Sequence, residues 1–258
     1  MITANPLPTS NPSGSLIGYN NLLTDSSTAA AGDIIPKSAL TPNTFERYTP
    51  ASGALTVKYN MGAVSDVNYI GIAAHALSGE TLVIKTAPTT GSGTLTDVAT
   101  ISPSDNSPIF IAFDTRNCQE VVITSTLSAA TEIGVIYMGM SMQMPTNLYG
   151  GHKPIALNAN TKYQTSKSES GNVLGVNIIR KGLESSFSWK YLDDEWIRDT
   201  YVDFMDAART TPIFLQWRPD FYSESAFGMV DGDISPSNMG SGHRLMQVSF
   251  KMSAHSDI

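Results

Sequence analysis

One cysteine, Cys118, stands alone among 258 residues, which excludes an intrachain disulfide and any cysteine-rich zinc site. Charge is scarce too: Asp, Glu, Lys and Arg make up 15% of the chain, against about 25% in an average soluble protein. The 16 basic residues are outnumbered by 23 acidic ones, for a net charge of -7. With no Lys/Arg cluster, the chain lacks the basic patch that gripping nucleic-acid phosphates requires. Long apolar runs are missing as well. The most apolar stretch, Tyr69 to Leu77, is far below the roughly 20 residues that span a bilayer. The N-terminus, Met1 to Pro6, has neither a basic nor an apolar signal region, so no export and no membrane insertion are expected. The one Asn-x-Ser/Thr triplet, Asn11-Pro12-Ser13, is blocked by its proline. What is present is ample core material, 41% hydrophobic, with polarity carried by Ser, Thr, Asn and Gly; wholesale disorder is excluded.

Three regions follow from the pattern. Residues 1–44 are rich in Pro, Asn, Ser and Thr, with short apolar pieces (Leu16-Ile17, Leu22-Leu23, Ile34-Ile35) between turn residues. Such a segment cannot fold alone and reads as an extended arm or edge strand laid on another surface, or as a terminal tail. Residues 45–147 read as strand after strand. Leu55, Val57 and Tyr59 alternate with polar residues, and Tyr69–Ala74, Thr81–Thr86, Ile109–Phe113, Glu120–Ser125 and Glu132–Met144 follow between Gly/Pro/Ser turns. That spacing predicts an antiparallel β-sandwich or jelly roll. Residues 148–258 change grammar: strands at Val176–Arg180, Glu184–Tyr191, Ile213–Trp217, Ala226–Val230 and Arg244–Ser253 surround one helix. The helix is expected over 193–209. Trp196, Ile197, Tyr201, Phe204, Met205 and Ala208 form its apolar stripe, Asp193 caps it, and Pro212 ends it. The fold class is therefore mainly β: a sandwich, then a smaller α+β domain.

Catalytic grammar is hard to find. His75, His152, His243 and His255 are not at zinc-ligand spacing, and His75 suits a hydrogen-bonded place at a strand end. No Gly-x-Ser-x-Gly elbow and no Gly-Lys-Ser/Thr phosphate loop occurs. Asp231-Gly232-Asp233 lacks the glutamate that closes a calcium loop and reads as a turn. Met138, Met140, Met142 and Met144 fall at period two, which would place four thioethers on one face of a strand, as core or interface filler. No enzyme, no catalytic residue, no metal and no cofactor are expected.

The aromatic residues offer surfaces instead. Trp217-Arg218-Pro219-Asp220-Phe221-Tyr222 runs a strand into a turn with the residue types that dominate interfaces. Trp217, Arg218, Phe221 and Tyr222 are partner-interface candidates; the alternative is that they close the local core, with Arg218 paired to Asp220. Tyr48 is the candidate for a ligand-binding loop, since a flat ring can pack on sugar C–H surfaces.

The stretch Asn68-Tyr69-Ile70-Gly71-Ile72-Ala73-Ala74-His75, continuing through Thr81–Thr86 and Ile109–Phe113 to Ile133–Gly139, resembles the discoidin-like, galactose-binding jelly roll found in tailed-bacteriophage virion proteins. Phe214–Pro219, Ala226-Phe227-Gly228 and Met246–Met252 resemble the closing part of phage tail and baseplate proteins. The resemblance implies a structural tail or baseplate component of the distal-tail or hub kind. Such a protein is made in the host bacterial cytoplasm and incorporated in the virion. Its partners would be copies of itself in a ring, joined through β-rich faces and the arm, and other tail proteins. The alternative it implies is a carbohydrate-binding module that recognises a host-surface glycan.

Overall fold

The computed structural model describes residues 14–23, 37–91, 94–240 and 244–255. Its strands are β1 (Leu16–Gly18), β2 (Gly53–His75), β3 (Leu82–Ala87), β4 (Thr96–Ile101), β5 (Ile109–Leu127), β6 (Ile133–Gly139), β7 (Met142–Gln143), β8 (Lys162–Lys167), β9 (Val173–Arg180), β10 (Leu183–Asp193), β11 (Ile213–Gln216), β12 (Ser225–Val230), β13 (Ser237–Asn238) and β14 (Leu245–Ala254). Between β10 and β11 lies one helical segment, made of α1 (Asp194–Trp196), a π turn (Ile197–Tyr201) and α2 (Val202–Ala208). All strand pairing is antiparallel. The class is mainly β, as the alternation of apolar and polar residues predicts.

The jelly roll is one five-stranded sheet, ordered β4-β3-β5-β2-β6. The pieces read separately at Leu55–Tyr59 and Tyr69–Ala74 belong to the single strand β2, and the two pieces at Ile109–Phe113 and Glu120–Ser125 to β5. Register shifts at Asn60/Ser65 and Val67/Tyr69 interrupt this pair, and irregularities of that kind bend and twist a strand. The halves thereby face each other. Leu55, Val57, Ile84 and Ile123 from one half share a core with Ile70, Ile72, Ile111 and Ile136 from the other.

The second sheet has the order β10-β14-β12-β11-β1-β7, with β13 added on β14. Its alternate residues serve two layers, because side chains along a strand point to opposite faces. Ile213, Leu215, Trp189 and Phe250 face the helix, where they share a core with its Tyr201 and Phe204. Phe214 and Phe227 face the jelly roll, where they meet Tyr69, Ala73, Phe110 and Tyr137. The run Tyr69–Ala74 is continuously apolar for this reason: β2 is buried on both faces there. Gly71 permits the closest approach, since a Cβ at that position would lie 2.8 Å from the Phe214 ring.

Some expectations are redrawn. Leu16–Gly18, read as part of an arm for some other surface, lies inside this chain's own second sheet between β11 and β7; Ser15 ties it down by donating its hydroxyl to the Trp217 carbonyl at 2.8 Å. Ile34-Ile35 falls outside the described residues. The strand expected over Glu132–Met144 is broken at Met140-Ser141, where the Ser141 N–H donates to Asn68 Oδ1 at 2.6 Å as the chain crosses between sheets. The methionine row is split with it: Met138 lies in the jelly-roll core, Met140 is exposed, and Met142 and Met144 lie under the helix. The helical segment itself, 194–208, begins as expected. The Asp193 carboxylate accepts from the N–H groups of Glu195 at 2.8 Å and Trp196 at 3.4 Å.

Candidate functional site

The groups best suited to chemistry are taken up by structure. His75 is buried; its Nδ1 accepts from the Leu77 N–H at 3.3 Å, so Nε2 carries the proton and donates to the Ser107 carbonyl at 2.9 Å. Cys118 is buried, and burial pushes its thiol up to about 11. Asp231 accepts from Ser253 Oγ at 2.9 Å while Asp233 lies 3.3 Å from the Arg209 guanidinium, with Gly232 at φ 83° between them. They form a strand-joining turn. Among the described residues, no group of three or more His, Cys, Asp or Glu side chains gathers as a metal site would. No helix among them is long and apolar enough to cross a membrane.

The aromatic turn after β11 divides in two. Trp217 is buried at the edge of the helix-side core and donates Nε1–H to Glu224 at 3.1 Å. Its ring stacks on Tyr222 at 5.2 Å between centroids. Arg218 lies 3.6 Å from Asp220 and sits over the Phe221 ring at 4.4 Å. The N–H groups of Phe221 and Tyr222 both donate to the Arg218 carbonyl, at 3.1 and 2.9 Å. That turn fixes two exposed rings, Phe221 and Tyr222, at the surface. The residues that follow, Ser223 and Glu224, line a cleft of about 250 Å³ together with Ser104, Asp105 and Ser107 of the jelly-roll loop 103–109. Two hydrogen bonds from Ser107, one from its N–H at 2.9 Å and a shorter one from its hydroxyl, hold the Asp105 carboxyl below its usual range.

Tyr48 is elsewhere on the same end of the jelly roll. It exchanges two backbone hydrogen bonds of 2.9 Å with Ile133, which also pairs with His75. The side chain is half-buried against the jelly-roll core beside Tyr59, whose phenol is raised by its own burial and secondarily by Tyr48. Trp217, Arg218, Phe221 and Tyr222 contact one another, and among the described residues no hydrogen bond or ring contact joins Tyr48 to them.

A second surface escaped sequence reading. β8 and β9 form a two-stranded sheet that pairs with no other strand among the described residues, and every residue in both strands is exposed. In the central register Tyr163 faces Ile178 and Thr165 faces Val176, while Gln164 faces Asn177 and Ser166 faces Gly175. Cross-strand partners share a face, so one face is apolar and the other polar. On the apolar face Tyr163 is 60%, Val176 59% and Ile178 48% exposed. Leu174 and Ile179, at the register shifts, are exposed too. β8, Lys-Tyr-Gln-Thr-Ser-Lys, carries little apolar signal; the findable sign was the turn Ser168–Asn172 leading into Val173.

No family model and no curated protein matches this chain. Among solved structures it is similar to chitosan-binding module 1 of a chitosanase/glucanase from Paenibacillus sp. IK-5, at 19% identity and TM-score 0.39 over 46% of this chain and 98% of that one. Module 2 of the same enzyme, in complex with chitotriose, is 20% identical at TM-score 0.39 over 46% and 99%. CpGH89CBM32-5 from Clostridium perfringens, in complex with GalNAc-beta-1,3-galactose, is 8% identical at TM-score 0.35 over 50% and 98%.

Proposed function

We propose that the chain is a non-enzymatic assembly component that docks on a macromolecular partner through the β8–β9 hairpin. One observation carries this reading: an apolar sheet face on which none of the described residues packs as a layer. An isolated two-stranded hairpin is marginal in water, and a contiguous exposed apolar face marks a binding surface. The low charge, 15% of residues, suits a protein whose surfaces must meet others without long-range repulsion. The finer assignment, a tail or baseplate component of a phage virion, draws on the sequence resemblance alone. Particles purified from the cells that make the chain should contain it at fixed stoichiometry, and a Val176→Asn/Ile178→Asn variant should be lost from them. A chain absent from purified particles refutes the virion assignment; a variant retained as well as the wild type refutes docking by the hairpin.

A second reading is supported by the cleft beside Phe221 and Tyr222. Hydroxyls and the carboxylates Asp105 and Glu224 line it, and the exposed rings of Phe221 and Tyr222 come just before Ser223 in the chain; directed polar groups near an apolar surface are what small-ligand sites use, and such a site suits a glycan. Chitotriose and GalNAc-beta-1,3-galactose, ligands of the modules named above, belong on the array that tests it. Binding that vanishes in Phe221→Ala and Tyr222→Ala supports the glycan reading, whereas binding unchanged by both, or none at all, removes it.

A further inference from the structure

Resting on the assembly reading, we infer that the occupant of the hairpin face is a second copy of this chain, seated on the acidic outer face of the helical segment 194–208. Charge makes the choice. Four of the 16 basic residues (Lys162, Lys167, Arg180 and Lys181) and one of the 23 acidic residues (Glu169) fall within 162–181. The hairpin thus carries +3 and the remainder of the chain -10. Pairing hairpin against hairpin would oppose like charges, which costs association. Hairpin against body joins opposite ones.

On the body, the helical segment offers the complement. Asp194, Asp206 and Glu195 are engaged by Arg198, Arg209 and Arg244. Asp199 and Asp203 are exposed and make no ion pair among the described residues, and the exposed Val202 stands beside them. An apolar spot flanked by uncommitted carboxylates matches an apolar strand face on a hairpin with basic residues at both ends. Both surfaces are exposed within one copy, so neither covers the other. The contact joins unlike surfaces and is heterologous, repeating from copy to copy until the ring closes or a filament grows.

The base of the hairpin is already fixed. The Asn160 N–H donates to the Gly182 carbonyl at 2.7 Å and the Glu184 N–H to the Asn158 carbonyl at 3.1 Å. Asn160 Nδ2 adds a bond to Glu184 Oε2 at 2.6 Å. A projection held in this way gives up little freedom on docking.

Sedimentation velocity on the full chain, from micromolar to hundreds of micromolar concentration, tests the inference. The wild type should associate with increasing concentration, and more weakly as salt screens the pair. Val176→Asn/Ile178→Asn should raise the dissociation constant roughly tenfold or more. Lys162→Glu/Lys167→Glu and Asp199→Lys/Asp203→Lys should each weaken association, and the two combined should restore it. All altered side chains are exposed, and far-ultraviolet circular dichroism checks that each variant is folded. A wild type that stays monomeric throughout overturns the self-docking, while the particle experiment above separately reads hairpin docking on other proteins. Charge reversals without effect, or a combination that restores nothing, overturn the assignment of the helix face.

Discussion

Replacing Phe214 by alanine tests whether the two sheets are held together by a single aromatic layer. Phe214 is fully buried, with ring centroids 4.6 Å from Phe227, 5.5 Å from Tyr137 and 6.5 Å from Phe110. Its fourth side is the bare backbone of Gly71. Phe-to-Ala changes in cores cost about 3–5 kcal/mol, more where the site cannot collapse. Here three rings are locked in mutual edge and tilted packing, and a glycine has no side chain to move into the void. The loss should therefore fall near the upper end, about 4–5 kcal/mol, and Tm should drop by roughly 10 °C or more at about 2–4 °C per kcal/mol. Leucine retains part of the volume and should cost about 1–2 kcal/mol. Urea unfolding followed by tryptophan fluorescence and by circular dichroism provides the assay, since Trp189, Trp196 and Trp217 all report on the helix-side layer. In the wild type the two probes should coincide; in Phe214→Ala they should separate as the jelly roll and second sheet uncouple. A loss below about 1 kcal/mol, with coincident probes, would refute the idea that this layer joins them.

Three further outcomes follow from individual groups. Asp193→Ala removes the carboxylate that caps the helical segment and should cost about 1 kcal/mol in urea unfolding; an unchanged midpoint would mean that the cap contributes nothing. The Cys118 thiol, pushed up to about 11 by burial, exists as thiolate at roughly one part in a thousand at pH 8, so a thiol reagent should leave the native protein unlabelled and react only after urea is added. Rapid native labelling would contradict the buried assignment. Asp105 has its carboxyl held below the ordinary 3.8 by the Ser107 hydrogen bonds. Its stabilisation is thus fully present above that ordinary value and lost as pH falls through the lower folded value. The stability gap between wild type and Asp105→Asn should vanish in that acid range, and a gap that persists below it would show that charge plays no part.

Local grammar made the strands and the helix legible. Period-two alternation marks Leu55–Tyr59, and the cap at Asp193 with the stripe from Trp196 to Ala208 marks the helical segment. Long-range pairing left no such sign. β1 is three residues long and pairs with Gln216, Leu215 and Phe214, nearly the whole chain away, and nothing in Leu-Ile-Gly specifies that partner. Period two also misleads where a strand ends unannounced: Met138 to Met144 keep the rhythm, yet the chain changes sheets at Met140-Ser141. At the candidate site, sequence located the exposed pair Phe221 and Tyr222 but not the cleft beside them, because Asp105 comes from a loop more than a hundred residues earlier.

The hairpin is exposed because the body, among the described residues, has no free apolar face to lay it on. Three cores bury aromatic and aliphatic side chains on both faces of β2 and on both faces of the second sheet, so those strands have no open apolar face left for β9 to cover. A solvent-adapted hairpin would alternate polar residues outward on both sides. This one instead concentrates Tyr163, Val176 and Ile178 on one face and Gln164, Asn177 and Ser166 on the other, the division of a strand pair that is half-covered. Lys162 and Arg180, paired across its base end, and Lys167, near its tip, then restrict what can cover it to an acidic surface. The -10 carried by the rest of the chain supplies one in every copy, so the same polypeptide holds both halves of a contact that it cannot make with itself.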